Sequence, residues 1–338
     1  MPQPGRTPEL AHTIGKPWWL DDPDPTERDA STARFVGQGR FACIMALYAV
    51  LAALALKFAP PVWTTTAADV ARSSVLPAEW LGAFRATGAL LVLAVVLSLM
   101  LGPPKCQSET TLDGRELFLR IGGAWQLGGL TQTGWVLIGL YLAVSSYVTW
   151  TVWASPDDEA HKTPSSLACG LSSLLGVAFG FSLLITMVVT FLLVPLEHSA
   201  GHSVAGYFGR NDLIMHNANV GLMTLEVLLG SLSIDMRDLA FVVLFGCSYL
   251  VWHQFIRYRY TRTLIYSFLS WQSPHAFKVA TALVAALCSG FLLGRLITEY
   301  VRPAQPWGPP IVLLAAFAIM RFRPPRGPPG KKAKPKTG

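Results

Sequence analysis

The stretch Asn211–Ser231, NDLIMHNANVGLMTLEVLLGS, is long and apolar enough to lie in a bilayer, yet it carries Asp212, His216, Asn217, Asn219 and Glu226. An imidazole in hydrocarbon is costly unless it faces an interior partner, and the chemistry it offers is proton transfer. On a helix turning by about 100° per residue, Asp212, His216, Asn219 and Met223 fall within about 60° of one another and make one polar stripe. Glu226 lies about 80° off that stripe and about 15 Å further along the axis, too far to orient the imidazole. Asp212, one turn earlier on the same face, is placed to do so. A second cluster, GGAWQLGGLTQTGW from Gly122 to Trp135, sets Thr131 and Thr133 behind a glycine-rich helix start. If both helices begin on one side of the membrane, Thr131 and His216 each sit about one turn in, at the common depth a nucleophile and its base require. His216 would take the Thr131 proton, and free N–H groups at the helix start would receive the negative charge that develops on whatever group the hydroxyl attacks.

The same residues have simpler roles. A threonine in a membrane helix usually bonds back to its own helix or packs against a neighbour, and His216 can serve as a structural interhelical hydrogen bond. Arg85 and Glu226, both inside apolar runs, either mark a pathway or pair with each other or with carbonyls. The polar cluster has no counterpart in the first half of the chain, so no inverted repeat supports transport. A metal site is conceivable from His198 and His202, four apart in EHSAGH, together with His216. Clustered histidine boxes need more than the seven histidines present, and His12 and His161 lie elsewhere. No metal or other cofactor is expected. The five cysteines are scattered singly and read as small packing residues.

The elements that must position these residues are membrane helices. Hydrophobic residues make up 52% of the 338 and charged residues only 14%, well below the ~25% charge of soluble domains, so the fold class is all-α, a polytopic transmembrane helical bundle. Apolar runs near the ~20 residues a bilayer needs occur at Phe41–Phe58, Phe84–Leu101, Leu130–Trp153, Leu167–Leu196, Leu213–Ser233, Leu239–Ile256 and Phe277–Ile297, with a short eighth at Ile311–Met320. With eight spans, twenty of the 27 Lys and Arg residues fall on the side of the N-terminus, which places both termini in the cytosol. The net charge of +7 then reflects topology, and membrane lipids rather than nucleic acid are the expected partners. The domains expected are a polar tail over 1–40, the helical domain over 41–322, and a basic Pro/Gly-rich tail over 323–338.

Three motifs in order resemble a known family: GGAWQLGGLT, with Gly-Gly-x-Trp ahead of Leu-Thr; HNANVGLMTLE, with a His ten residues before a Glu; and YLVWHQFIRYRYTRTLIYSFLSW. Over roughly 122–295 they are similar to the androgen-induced membrane proteins, transmembrane threonine hydrolases acting on fatty acid esters of hydroxy fatty acids. The His-x-x-Asn of His216 and Asn219, and SFLSWQSP ending at Pro274, also resemble the rolling-stone proteins, which are membrane proteins without established chemistry. The first resemblance implies Thr131 as nucleophile, His216 as base and a lipid ester as substrate, lodged against Asn219, Met223 and Trp125. In this chain four residues, QLGG, separate Trp125 from Leu130–Thr131, where the family has two, which makes Thr133 the alternative nucleophile. Asp212 and Leu213 stand where the family commonly has Asn-His. The family implies the endoplasmic reticulum or another endomembrane, with plasma and plastid membranes as alternatives.

Overall fold

Each apolar run is helical in the computed structural model. It describes residues 26–59, 64–103, 105–110, 116–199, 201, 203–258, 264–266, 269, 276–304 and 306–325, with backbone alone for 26–40, 105–110, 116–120, 256–257 and 276. His202, most of SFLSWQSP, and the tail segments 1–25 and 326–338 lie outside the described residues. The helices are α1 (Thr26–Phe58), α2 (Ala67–Ala71), α3 (Ala78–Leu101), α4 (Leu130–Ala154), α5 (Ser166–Met187), α6 (Val194–Ser199), α7 (Arg210–Leu229), α8 (Leu239–Val251), α9 (Ala276–Leu296) and α10 (Gly308–Ile319). A π-helical segment, Val188–Leu193, joins α5 to α6 without a break, and others follow α8 (Trp252–Arg257) and α9 (Ile297–Val301). Helix α1 begins fifteen residues before the apolar run at Phe41, inside the segment read as a polar tail. One departure from an all-helical chain is an antiparallel hairpin, β1 (Lys105–Thr110) with β2 (Glu116–Ile121), in the register Lys105↔Ile121 to Thr110↔Glu116.

Among the described residues, six helices are long and apolar enough to cross a membrane: Phe41–Phe58, Ala78–Leu101, Leu130–Ala154, Ser166–Ser199, Met236–Phe255 and Phe277–Val301. The protein is an integral, multi-pass membrane protein. Helices α7 and α10 are not among the six. The first is interrupted by polar residues; the second, with 12 residues, rises only about 18 Å against a hydrocarbon core of about 30 Å. Both nevertheless run alongside spanning helices. Ser172, at the start of α5, donates to the carbonyl of Ser233 just beyond α7, whereas Thr186, at the end of α5, donates to the carbonyl of His216 near the start of α7. Helix α7 therefore returns antiparallel along α5. Helix α10 in turn runs antiparallel to α7: Arg302 before it reaches the carbonyls of Val227 and Gly230, and Arg321 after it pairs with Asn217.

The chain divides into two compact units, one from Met1–Leu54, Val96–Gly129 and Val243–Ala285, the other from Ala55–Val95, Leu130–Val242 and Ala286–Gly338. In the first, the Tyr48 and Thr281 hydroxyls share a hydrogen bond of 2.8 Å, and the Phe41 and Phe255 rings lie 6.2 Å apart. Tyr249 of α8, His253 of the π segment that follows it, and Tyr266 form a run of neighbouring rings.

The second unit is closed by small residues at helix crossings. Gly176 and Gly180 of α5 face Gly290 and Gly294 of α9, two G-x-x-x-G pairs. A methyl group on Gly290 would stand 3.0 Å from the Gly180 carbonyl oxygen, and one on Gly176 would meet the Phe291 ring at 2.6 Å. Close backbone approach of this kind supplies dispersion contacts where lipid offers no hydrophobic drive to association. Helix α4 is admitted to its neighbours in the same way, Gly139 lying against Val92 of α3 and Gly134 against Ile185 of α5. The one-turn helix α2 begins at a capping box, in which the Thr66 hydroxyl receives the Asp69 N–H and the Asp69 carboxylate receives the Thr66 N–H.

Candidate functional site

Two polar constellations sit inside the second unit. The first centres on Arg85 of α3 and Glu226 of α7, which are 0% and 1% exposed. Arg85 Nη2 donates to Glu226 Oε1 at 2.6 Å, and Nε reaches Oε2 at 3.1 Å. The guanidinium's remaining arm, Nη1, donates to the Val70 carbonyl at 2.8 Å and to Thr149 Oγ1 at 2.6 Å. The Tyr141 hydroxyl of α4 donates to Glu226 Oε1 at 2.7 Å. Of the readings open for Arg85 and Glu226, the structure selects mutual pairing. Buried charges persist when their lone pairs and protons are matched, and here α2, α3, α4 and α7 each contribute a partner.

The second constellation lies near the other end of α7 and contains His216, which is 8% exposed. Gly209 in extended conformation starts α7, preceded by a 3-10 turn, Ala205–Phe208. That turn brings Tyr207 over the imidazole, with ring centroids 6.1 Å apart. The imidazole is hydrogen-bonded to the Tyr207 backbone, while Nδ1 is buried without a hydrogen-bond partner. In the neutral imidazole, a ring nitrogen that donates to a carbonyl leaves the other as an acceptor lone pair. In that form of His216 the basic atom is Nδ1. Asp212 acts on it by charge, its carboxylate lying close to Gly209 at the helix start. The group that fixes the ring is the Tyr207 backbone, which sequence spacing alone did not indicate.

The rest of the stripe is buried against α5. Asn219 accepts from the Thr186 hydroxyl at 3.0 Å and its amide reaches the Ser182 carbonyl; Met223 is fully buried. Asn217, one residue from the base, holds the chain beyond α10: its Nδ2 donates to the Arg321 carbonyl at 3.1 Å and its Oδ1 receives the Arg321 N–H at 2.8 Å. Arg321 Nη1 then donates to the carbonyl of Thr190, in the π segment after α5, at 3.0 Å.

Thr131 is the second residue of α4, after the 3-10 segment Gly123–Gly128, and is 7% exposed. Helix α4 runs antiparallel to α3, with Gly82 against Trp150 and Val92 against Gly139, and α7 does the same, with Arg85 on Glu226 and Gly88 against Leu222, so α4 and α7 run parallel; Gly134 of α4 meets Ile185 of α5, next to the Thr186 that reaches His216. Thr131 is therefore within about one turn of His216 in depth. No hydrogen bond joins its hydroxyl to His216. Asn219, which meets Thr186 of α5, and Glu226 and Leu222, which meet α3 and α4, lie about 60°, 80° and 120° round α7 from His216, all in the same sense. Thr133 is half-buried and about 200° round α4 from Thr131. Trp125 lies in the 3-10 segment of the other unit. Among the described residues no group of three His, Cys, Asp or Glu side chains is arranged to hold a metal ion.

The residues missed from the sequence are Tyr207, Thr186, Arg321 and Tyr141. Only Thr186 had a faint signal, since Ser182, Thr186 and Thr190 recur every four residues through an otherwise apolar run. Comparison with family models, curated proteins and solved structures finds no match, so the resemblance to the androgen-induced membrane proteins rests on the quoted motifs alone.

Proposed function

We propose that this protein is a membrane-embedded hydrolase of lipid esters in which His216 is the general base. The observation that carries the reading is the His216 imidazole itself: one nitrogen held by the Tyr207 backbone, the other buried with its lone pair unused. Such an atom can remove a proton from a hydroxyl or water. The resemblance gives the nucleophile to Thr131, with Thr133 its alternative, and makes the substrate an ester of the fatty acid ester of hydroxy fatty acid class. Eight crossings with cytosolic termini suit this reading, because α7 returns along α5 and α10 runs back along α7 as far as Asn217. His216 then lies at the cytosolic leaflet of an endomembrane, where a lipid ester enters sideways and membrane lipids are the surrounding partners.

A fluorophosphonate probe on the detergent-solubilised full chain tests the reading. Wild type should label, and His216→Ala should not while keeping the wild-type melting temperature. A folded wild type that fails to label refutes hydrolysis. The runner-up is then a membrane scaffold of the rolling-stone type, which the saturated Arg85–Glu226 network favours over a transporter. A charge pair with every arm engaged holds helices together rather than passing an ion.

A further inference from the structure

Resting on the hydrolase reading, we infer that the hydroxyl activated by His216 is that of Thr190, and that Arg321 receives the oxyanion. Thr190 is 8% exposed and sits in the π segment Val188–Leu193. The wider i→i+5 turn means that a step of four residues brings Thr190 nearly over Thr186. Thr186 itself touches His216, its hydroxyl donating to the His216 carbonyl at 2.7 Å. Thr190 therefore lies one turn further out on the side of α5 that meets α7, the direction in which the His216 side chain leans, since side chains on a helix tilt toward its N-terminus. The hydroxyls of Thr149, Thr186 and Thr298 each donate to a backbone carbonyl; that of Thr190, like those of Thr131 and Thr224, makes no hydrogen bond among the described residues. Beside it, Arg321 is clamped twice, its backbone by the Asn217 amide and one guanidinium nitrogen by the Thr190 carbonyl. The remaining N–H groups of the fork have no protein acceptor among the described residues. Asn219, which reaches α5, and Asn217, which holds Arg321, lie about 60° and 100° to either side of His216 on α7, so the imidazole emerges between α5 and the end of α10, where Thr190 and Arg321 are joined.

The reaction balances with these groups. The Thr190 oxygen bonds to the ester carbonyl carbon as its proton passes to His216 Nδ1, and the carbonyl oxygen becomes an oxyanion against the Arg321 guanidinium. The bond to the alcohol oxygen breaks, and that oxygen leaves with the proton from Nδ1. Water then attacks the acyl-threonine, losing a proton to Nδ1, which returns it to Thr190 as the carboxylic acid departs. Asn217, which touches no reacting atom, is a positioning residue.

The test is to label wild-type protein with the fluorophosphonate, digest it and locate the adduct by mass spectrometry. The expected adduct is on Thr190. Arg321→Gln should slow labelling about 100-fold, in the range found for loss of an oxyanion donor, and added guanidinium ion should restore labelling of Arg321→Ala, which a merely structural arginine would not permit. An adduct on Thr131, Thr133 or any other residue overturns the inference and leaves the hydrolase reading standing. Absence of any adduct on folded wild type overturns both.

Discussion

Replacing Glu226 with Gln keeps the shape of the side chain and removes the charge that Arg85 is built around. In the wild type, Oε1 accepts from Arg85 Nη2 and the Tyr141 hydroxyl, and Oε2 accepts from Arg85 Nε. The amide can offer one oxygen at most and, because both Oε1 and Oε2 accept from Arg85, must turn its NH2 against a guanidinium N–H in either orientation. Arg85, 0% exposed, is left as an uncompensated buried cation, a defect worth about 3–5 kcal/mol. At about 2–4 °C per kcal/mol for chains somewhat shorter than this one, the apparent melting temperature in detergent should fall by about 5–15 °C. Tyr141→Phe removes one charge-assisted bond and leaves the pair intact, so its cost should be about 1.5–3 kcal/mol. The double variant Arg85→Met with Glu226→Leu should recover much of the loss, because apolar residues of similar volume need no compensation. The measurement is a set of thermal melts followed by tryptophan fluorescence and by retention on size exclusion. Equal melting of wild type and Glu226→Gln would show that the pair does not hold the helices; a double variant worse than either single change would show that its worth lies in more than mutual neutralisation.

Three further perturbations test other contacts. Gly290→Val places two methyl groups against the Gly180 backbone, where even one would stand at 3.0 Å; overpacking costs about 1–3 kcal/mol, and Gly170→Val, with open space around it, should leave the melting temperature unchanged. Arg302→Ala strips the carbonyls of Val227, Gly230, Ser231 and Leu232 of a shared donor and should cost about 1.5–3 kcal/mol, with faster hydrogen exchange confined to the last turn of α7 and the loop after it. Asn217→Ala releases the chain beyond α10 from α7, so limited proteolysis should cut near Arg321 and Arg323 several times faster than in wild type, while the rest of the pattern is unchanged.

Helical runs were readable because bilayer length and apolarity together leave few other options, and the six spans fall where the hydropathy places them. Partners were not readable. Arg85 and Glu226 stood out as charges in hydrocarbon, but 141 residues separate them, and only the parallel course of α4 and α7 brings Tyr141 to the same carboxylate. The stripe Asp212–His216–Asn219–Met223 was visible as a period, yet periodicity gives a face and not the neighbour opposite, and Thr186 and Ser182, which meet Asn219, could not be named from it. Tyr207 escaped because its carbonyl, common to every residue type, is the group that matters. The hairpin did carry a signal, the Asp-Gly of TTLDGREL between two short polar-apolar stretches, overshadowed by the search for spans. The π segment at Val188–Leu193 had none, since an inserted residue in an apolar helix leaves its composition unchanged.

Helix α7 shows why a hydropathy criterion and a packing criterion part company. Of its twenty residues only Arg210 and Leu225 are exposed. A hydropathy scan asks whether a helix can meet lipid, and a helix enclosed by others need not satisfy that test; it must instead have each polar group matched. Asn217 is matched by Arg321, Asn219 by Thr186 and Ser182, and Glu226 by Arg85 and Tyr141. The C-terminal carbonyls are matched by Arg302. Among these, the one buried nitrogen left without a partner is Nδ1 of His216. With the Asn217, Asn219 and Glu226 side chains each matched, this open nitrogen is the atom of α7 on which the proposed function rests.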